Sequence, residues 1–210
     1  MIPENFIQSN LQGISFIGPE LILTLAILLI LLVGVLLPYW RHRILFTILA
    51  VAGLAGSVLP LWKLPQPAPD LTYLSELFVW DWLTFLSKPF FAVVGVLTIL
   101  LTQVTGEIDN SEYSECTILV LAVTMGMMLL VASTDLLMIY LAFETMGILS
   151  YLLVGIRARD ERSGEAALKY VLYGAFTSGT MLFGFSLLFG LAGSTDLLAI
   201  SQKVAFASQH

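Results

Sequence analysis

The sequence predicts an all-α fold, a polytopic bundle of six transmembrane helices. Three observations carry that prediction. Of the 210 residues, 58% are hydrophobic and only 11% charged, and the mean hydropathy is +0.93. Soluble domains carry about 25% charged residues, and a water-soluble fold of this length has too little interior to hide so much apolar surface. Six apolar stretches come close to or exceed the roughly 20 residues a helix needs to cross the hydrocarbon core. None shows the strict alternation of a barrel strand, which favours helices.

The first stretch covers residues 15–38 and ends at "PYWRHR", with Glu20 near its outer end. No Lys or Arg precedes Arg41, so the chain start lacks a charged leader region and the stretch reads as a retained span. Residues 44–62 form the second. "KLPQPAPD" follows, with three prolines and no long apolar run, an extended loop. The third span, 79–104, opens on Trp80 and Trp82 as interfacial aromatics, and Lys88-Pro89 predicts a kink within it. The acidic loop "GEIDNSEYSE" leads to the fourth, 116–133. A short polar break, "STD", separates it from the fifth, 136–156, and "RARDERSGE" separates that from the sixth, 166–192. The tail "STDLLAISQKVAFASQH" is too short and too polar for a seventh span and predicts the start of an amphipathic surface helix. Within 210 residues no sequence repeat is apparent.

Several function classes are disfavoured. A net charge of −6 argues against a nucleic-acid partner, and the lipid bilayer is the first partner implied. The single cysteine, Cys116, excludes an intramolecular disulfide and a Cys-ligated cluster held by this chain alone. His42 and His210 lie outside the apolar runs, so haem or zinc bound by the chain alone is not expected. Loop charges predict orientation. Arg41, Arg43, Arg157, Arg159 and Arg162 follow spans one and five, against Lys63 and Lys203 on the opposite side. The positive-inside rule then places the loops after spans one, three and five in the cytoplasm and the N-terminus outside.

Three charges inside the spans are candidates for function. Glu144 interrupts "LLMIYLAFETMGILSYLL", about 12 Å of helical rise from Leu136 and about 18 Å from Ile156. An ionised side chain at such a depth costs about 2.5–3.5 kcal/mol on insertion scales. The carboxyl is therefore held neutral by desolvation or faces water or a cation inside a bundle, and either state suits a proton carrier. The alternative is a neutral acid hydrogen-bonded between helices as structural glue. Lys169 lies near the start of span six, four residues after Glu165. It can snorkel, form an i,i+4 pair, or join a water-linked relay to Glu144, whose helix is its antiparallel neighbour. Lys88 shares a helical face with Asp81, seven residues earlier, so a partly buried ion pair or a snorkelled lysine competes with a proton role. Gly174, Ala175, Ser178, Gly179, Gly184 and Gly190 give span six a small-residue face on which other helices can pack closely.

"GMMLLVASTDLLMIYLAFETMGILSYLLVG", followed after a basic loop by "SGEAALKYVLYGAFTSGTMLFGFSLLFGLAGSTDL", resembles the antiporter-like subunits of respiratory complex I, most of all subunit N of bacterial NADH:quinone oxidoreductase. The likeness is strong over about residues 79–200; the first two spans fit in number and hydropathy only. It implies a proton-translocating membrane subunit coupled to NADH-to-quinone electron transfer, in the cell inner (plasma) membrane beside other membrane-arm subunits. The implied fold is a larger, fourteen-helix protein with inverted repeats, of which this sequence is the first part. Glu144 matches the family's fifth-helix glutamate and Lys169 its sixth-helix lysine. The resemblance assigns no cofactor to this chain: NADH, FMN, iron–sulfur clusters and quinone fall to partner subunits. The broken seventh helix, the eighth-helix lysine and the second repeat are missing, so the expectation is a fragment of a longer protein or a truncated reading frame. A cation/proton antiporter subunit, a membrane-bound hydrogenase arm and a non-conducting membrane scaffold are the rivals.

Overall fold

A computed structural model describes residues 13, 15–36, 43–68, 72–74, 77–157 and 159–207. It contains six helices long and apolar enough to cross a membrane, and the protein is a multi-pass membrane protein. They are α1 (Gly18–Leu36), α2 (Arg43–Val58, prolonged by a 3-10 turn Leu59–Lys63), α3 (Trp82–Thr105), α4 (Tyr113–Ala132), α5 (Leu136–Val154) and α6 (Glu161–Ala192). A shorter helix, α7 (Leu197–Ala207), takes up the tail. Between α2 and α3 lies a small antiparallel hairpin of β1 (Thr72–Tyr73) and β2 (Phe78–Val79), with Thr72 opposite Val79. Arg41, His42 and His210 lie outside the described residues.

The helix ends follow from capping chemistry. Asp81 accepts the Thr84 N–H at 2.8 Å and starts α3; Asp160 accepts the Arg162 N–H at 3.0 Å and starts α6. α6 therefore begins at Glu161 and absorbs residues expected to be loop. Its 32 residues span about 48 Å, well beyond the hydrocarbon thickness of about 30 Å. Helix α3 runs on through Pro89. Gly106 and Gly193 close α3 and α6 with φ of 66° and 64°, conformations that glycine adopts without strain.

Helices α1 to α4 form the packed part of the molecule. Helix α4 touches α1, α2 and α3, and their facing sides bury Leu23, Ile30, Phe46, Leu54, Ile99 and Leu121. A Cβ on Gly53 would lie 2.5 Å from Ala26 Cβ, so a glycine is needed where α2 crosses α1. Helix α5 packs on α4, and α6 on α5, as an open wing. Only 6% of the apolar window of each is buried, against 44% for α4. The small-residue face expected on α6 is accordingly used in part. Gly174 is pressed by a neighbouring side chain, whereas Gly179, Gly184 and Gly190 meet open space.

An aromatic cluster closes the end where α1 begins. Phe16 stacks on Tyr73 at 4.9 Å, and Tyr73 on Phe78 at 5.6 Å. Trp80 sits within this cluster, wholly buried, its indole N–H donating to the Pro65 carbonyl at 3.0 Å. This corrects the interfacial role expected of Trp80; Trp82, 58% exposed, is the tryptophan that faces outward. Burial, and then the nearby Glu20 charge, push the Tyr73 phenol above its usual range. Folding thus holds its proton more tightly than the unfolded chain does. The stability this contributes is complete below about pH 10, the unfolded value, and is lost as pH rises above it. Ultraviolet titration of the tyrosines is expected to leave Tyr73 protonated after the exposed ones have ionised.

At the same end, Ser133–Leu137 reads STDLL, and so does Ser194–Leu198. This five-residue repeat corrects the expectation of none. The two copies pair with each other. The Leu136 N–H donates to the Thr195 carbonyl at 2.9 Å, and the Leu197 N–H to the Thr134 carbonyl at 2.9 Å. Asp135 caps α5 through the Leu137 N–H at 2.8 Å and also accepts the Thr195 hydroxyl. Asp196 receives the Ala199 N–H at 2.7 Å. Lys203 reaches back to the Ala192 carbonyl at the end of α6. Asp135→Ala removes a helix cap and a cross-segment bond together. A loss of about 1–2 kcal/mol in detergent unfolding is expected.

Candidate functional site

The three sequence candidates do not converge. Lys88 is the most buried of them, fully enclosed in the first-four-helix core. Its ammonium lies 2.8 Å from Glu20 Oε1, donates to the Phe16 carbonyl at 3.2 Å and stands 5.7 Å from the centre of the Trp80 ring. The expected partner, Asp81, is occupied as the α3 cap, so the ion pair forms with Glu20 in α1 instead. The pair is wholly buried rather than partly so. Glu20 is 4% exposed and its Oε2 is buried with no hydrogen-bond partner among the described residues. Placed in the first turn of α1, the carboxylate also faces the positive end of that helix.

Glu144 lies eight residues into α5, partly buried in the open wing. Its Oε1 is buried and lacks a hydrogen-bond partner among the described residues. Along the same face stand Gly147 and Tyr151, three and seven residues on. Tyr151 packs edge-on against Tyr170 of α6, ring centres 4.7 Å apart, and beside them opens a groove of about 400 Å³ lined by Met127, Met146, Ser150, Tyr173 and Thr177.

Lys169 lies on α6 with a side chain 65% exposed, and its ammonium is paired with Glu165 one turn earlier. It is eight residues past the start of a helix longer than the membrane, which puts it near the headgroup depth of that end. At the same end Arg43 donates to the Thr102 carbonyl at 3.1 Å and stacks over Tyr113 at 4.7 Å, and Arg157 donates to the Glu107 carbonyl at 3.0 Å. Glu20 and Tyr151 are the residues that the sequence reading missed as site members. For Tyr151 a usable signal existed, its i+7 spacing from Glu144. Glu20 sits 68 positions from Lys88, and no local pattern connects them.

Residues 133–210 match the family model described as NADH:quinone oxidoreductase/Mrp antiporter, TM. Subunit N of the NADH-quinone oxidoreductase of Chlorobium chlorochromatii is 33% identical over 205 residues, covering 96% of this chain and 39% of its own length. The chain is similar in sequence to subunit N. NAD(P)H-quinone oxidoreductase subunit 2 of Thermosynechococcus vestitus is 37% identical over 193 residues, covering 90% of this chain and 37% of its own length. The chain thus spans less than half the length of the subunit N proteins it matches. Two solved structures share the fold. One is a chain of respiratory complex I from Thermus thermophilus with bound aureothin, at a TM-score of 0.65, 24% identity and coverage of 85% of this chain and 38% of that one. The other is a chain of an archaeal membrane-bound sulfane sulfur reductase, at 0.69 and 16%, covering 90% and 40%. The fold shared with these two chains extends over the larger part of the described helices, and α5, α6 and α7 lie inside the matched family region.

Proposed function

We propose that the chain is part of a proton-translocating membrane subunit of a type I NADH:quinone oxidoreductase, which couples electron transfer from NADH to quinone to proton pumping. The observation that carries the reading is the Glu144 carboxyl, deep in α5 with one oxygen buried and without a hydrogen-bond partner among the described residues. In this reading the carboxyl is the group that binds and releases the translocated proton as a neighbouring cation approaches or withdraws. Lys169, exposed near one membrane face beside Glu165, fits an inlet carrier or a fixed positive neighbour. Lys88 is closed off by Glu20, and we place it outside the Glu144 path as a charge pair locked into the core.

In this reading the protein sits in the inner (plasma) membrane with its N-terminus outside. The Arg43, Arg157 and Lys169 end faces the cytoplasm. Other membrane-arm subunits flank it, and partner subunits handle NADH, FMN, the iron–sulfur clusters and quinone. The test is Glu144→Gln in the complete protein within its complex, read as NADH-driven acidification of inverted membrane vesicles. Lost acidification with peripheral NADH oxidation intact supports the proposal; undiminished acidification overturns it and favours a scaffold.

A second reading has specific support. The matched family description includes the Mrp antiporter, and the archaeal sulfane sulfur reductase shares the fold. In a cation/proton antiporter or a hydrogenase-type arm the same Glu144 would move protons against a different driving reaction. Affinity purification of the intact complex separates the two, because a co-purifying NADH-oxidising flavoprotein belongs only to the first.

A further inference from the structure

The hydroxyl of Tyr151 is held between two helices by missing side chains. Its oxygen lies 3.2 Å from where a Cβ on Gly147 would stand, so the ring folds back along its own helix toward Glu144. On the facing helix it is pressed so closely onto Gly174 that any β-carbon there would collide with it. Gly174 is buried at this contact. Two glycines, on α5 and α6, thus make one cradle for one phenol oxygen. Larger residues at either position would push it out into the groove.

We infer that Tyr151 is the relay residue that hands protons to and from Glu144, a role that rests on the proposed proton-translocating function. Gly147, beside the phenol oxygen, is one helical turn from Glu144, about 5 Å of rise, a span that a single bridging water crosses. On the other side the Tyr170 hydroxyl is 3.4 Å from Ser150 Oγ, and Tyr170 directly follows Lys169 on α6. Hydroxyl groups therefore lead from the Lys169 end of the wing toward the buried Glu144 oxygen, along the groove of about 400 Å³.

The step balances without a net change at tyrosine. The phenol oxygen accepts a proton from a protonated water on the Tyr170 side, which is left as neutral water, while its own proton passes through the bridging water to the Glu144 carboxylate. One O–H bond forms as another breaks, and the phenol ends neutral. The reverse order releases the proton.

The experiment compares Tyr151→Phe, Gly174→Ala and Glu144→Gln in the complete complex in inverted vesicles. It measures proton pumping relative to NADH oxidation with an artificial acceptor, in H₂O and D₂O. Phenylalanine keeps the ring between the two helices and removes only the hydroxyl. Tyr151→Phe is expected to slow pumping roughly tenfold, with normal assembly and an altered solvent isotope effect, which a packing defect alone would not change. Gly174→Ala, which displaces the hydroxyl and keeps its chemistry, is expected to slow pumping as well. Normal pumping in either of these two variants beside a defective Glu144→Gln overturns the relay and leaves the proposed function standing. Normal pumping in Glu144→Gln overturns both.

Discussion

Lys88→Met is expected to destabilise the protein by roughly 3–5 kcal/mol. The lysine is wholly enclosed, and its ammonium answers the Glu20 carboxylate at 2.8 Å and the Phe16 carbonyl at 3.2 Å. Methionine fills a similar volume, so packing changes little and the loss is electrostatic. It strands a buried acid whose second oxygen has no hydrogen-bond partner among the described residues. Glu20→Gln leaves the opposite defect, a buried ammonium facing an amide. The double variant Lys88→Met with Glu20→Leu removes both charges and is expected to recover most of the loss, because a buried pair replaced by apolar groups is often neutral. Unfolding in mixed detergent micelles measures all three. A single-variant loss below about 1 kcal/mol, the value of an exposed pair, would show that the pair is solvated.

The largest functional effect is expected at Glu144. Replacement by glutamine keeps size and hydrogen-bonding capacity, so the α5 helix and its contacts with α4 persist, while proton exchange at that position ends. Pumping by the complete complex is expected to fall by about 10²-fold or more, in the range of a lost proton-transfer group. NADH oxidation at the peripheral site with an artificial acceptor should stay near the parent rate. Glu144→Asp is the informative companion: it retains a titratable group but withdraws it by one methylene, and it should pump at an intermediate rate. Lys169 predicts a milder outcome. Its ammonium is 65% exposed, and water can substitute for it, so Lys169→Met should slow pumping less than Glu144→Gln does.

The six-helix class was legible because hydropathy reports it directly, and the depth of Glu144 was legible because helical rise is constant. What depended on a partner distant in sequence was not. Asp81 and Lys88 share a helical face, but a side chain used to cap Thr84 is unavailable to a cation seven residues on, and the cation turned instead to Glu20 in another helix. Trp80 illustrates a different limit. Tryptophan suits a headgroup region and a buried cluster alike, and only the hairpin of Thr72–Val79 decides in favour of the cluster. At the start of α6 the polar string "ERSGE" looked like loop, yet Asp160 caps it into the helix. The glycines of α6 were read as one packing face, although only the position under Tyr151 is occupied.

The matched pentapeptides have a mechanical corollary. Their two reciprocal bonds run through main-chain amides, so substitutions other than proline keep both donors and acceptors, and the foot of α5 is tied to the far end of α6 and to α7. Any swing of α5 must then pivot at Leu136. A rigid rod hinged there carries Glu144, about 12 Å up, a little under half as far as it carries Val154, about 27 Å up. The acid rides on the short arm of a lever whose long arm reaches the opposite membrane face.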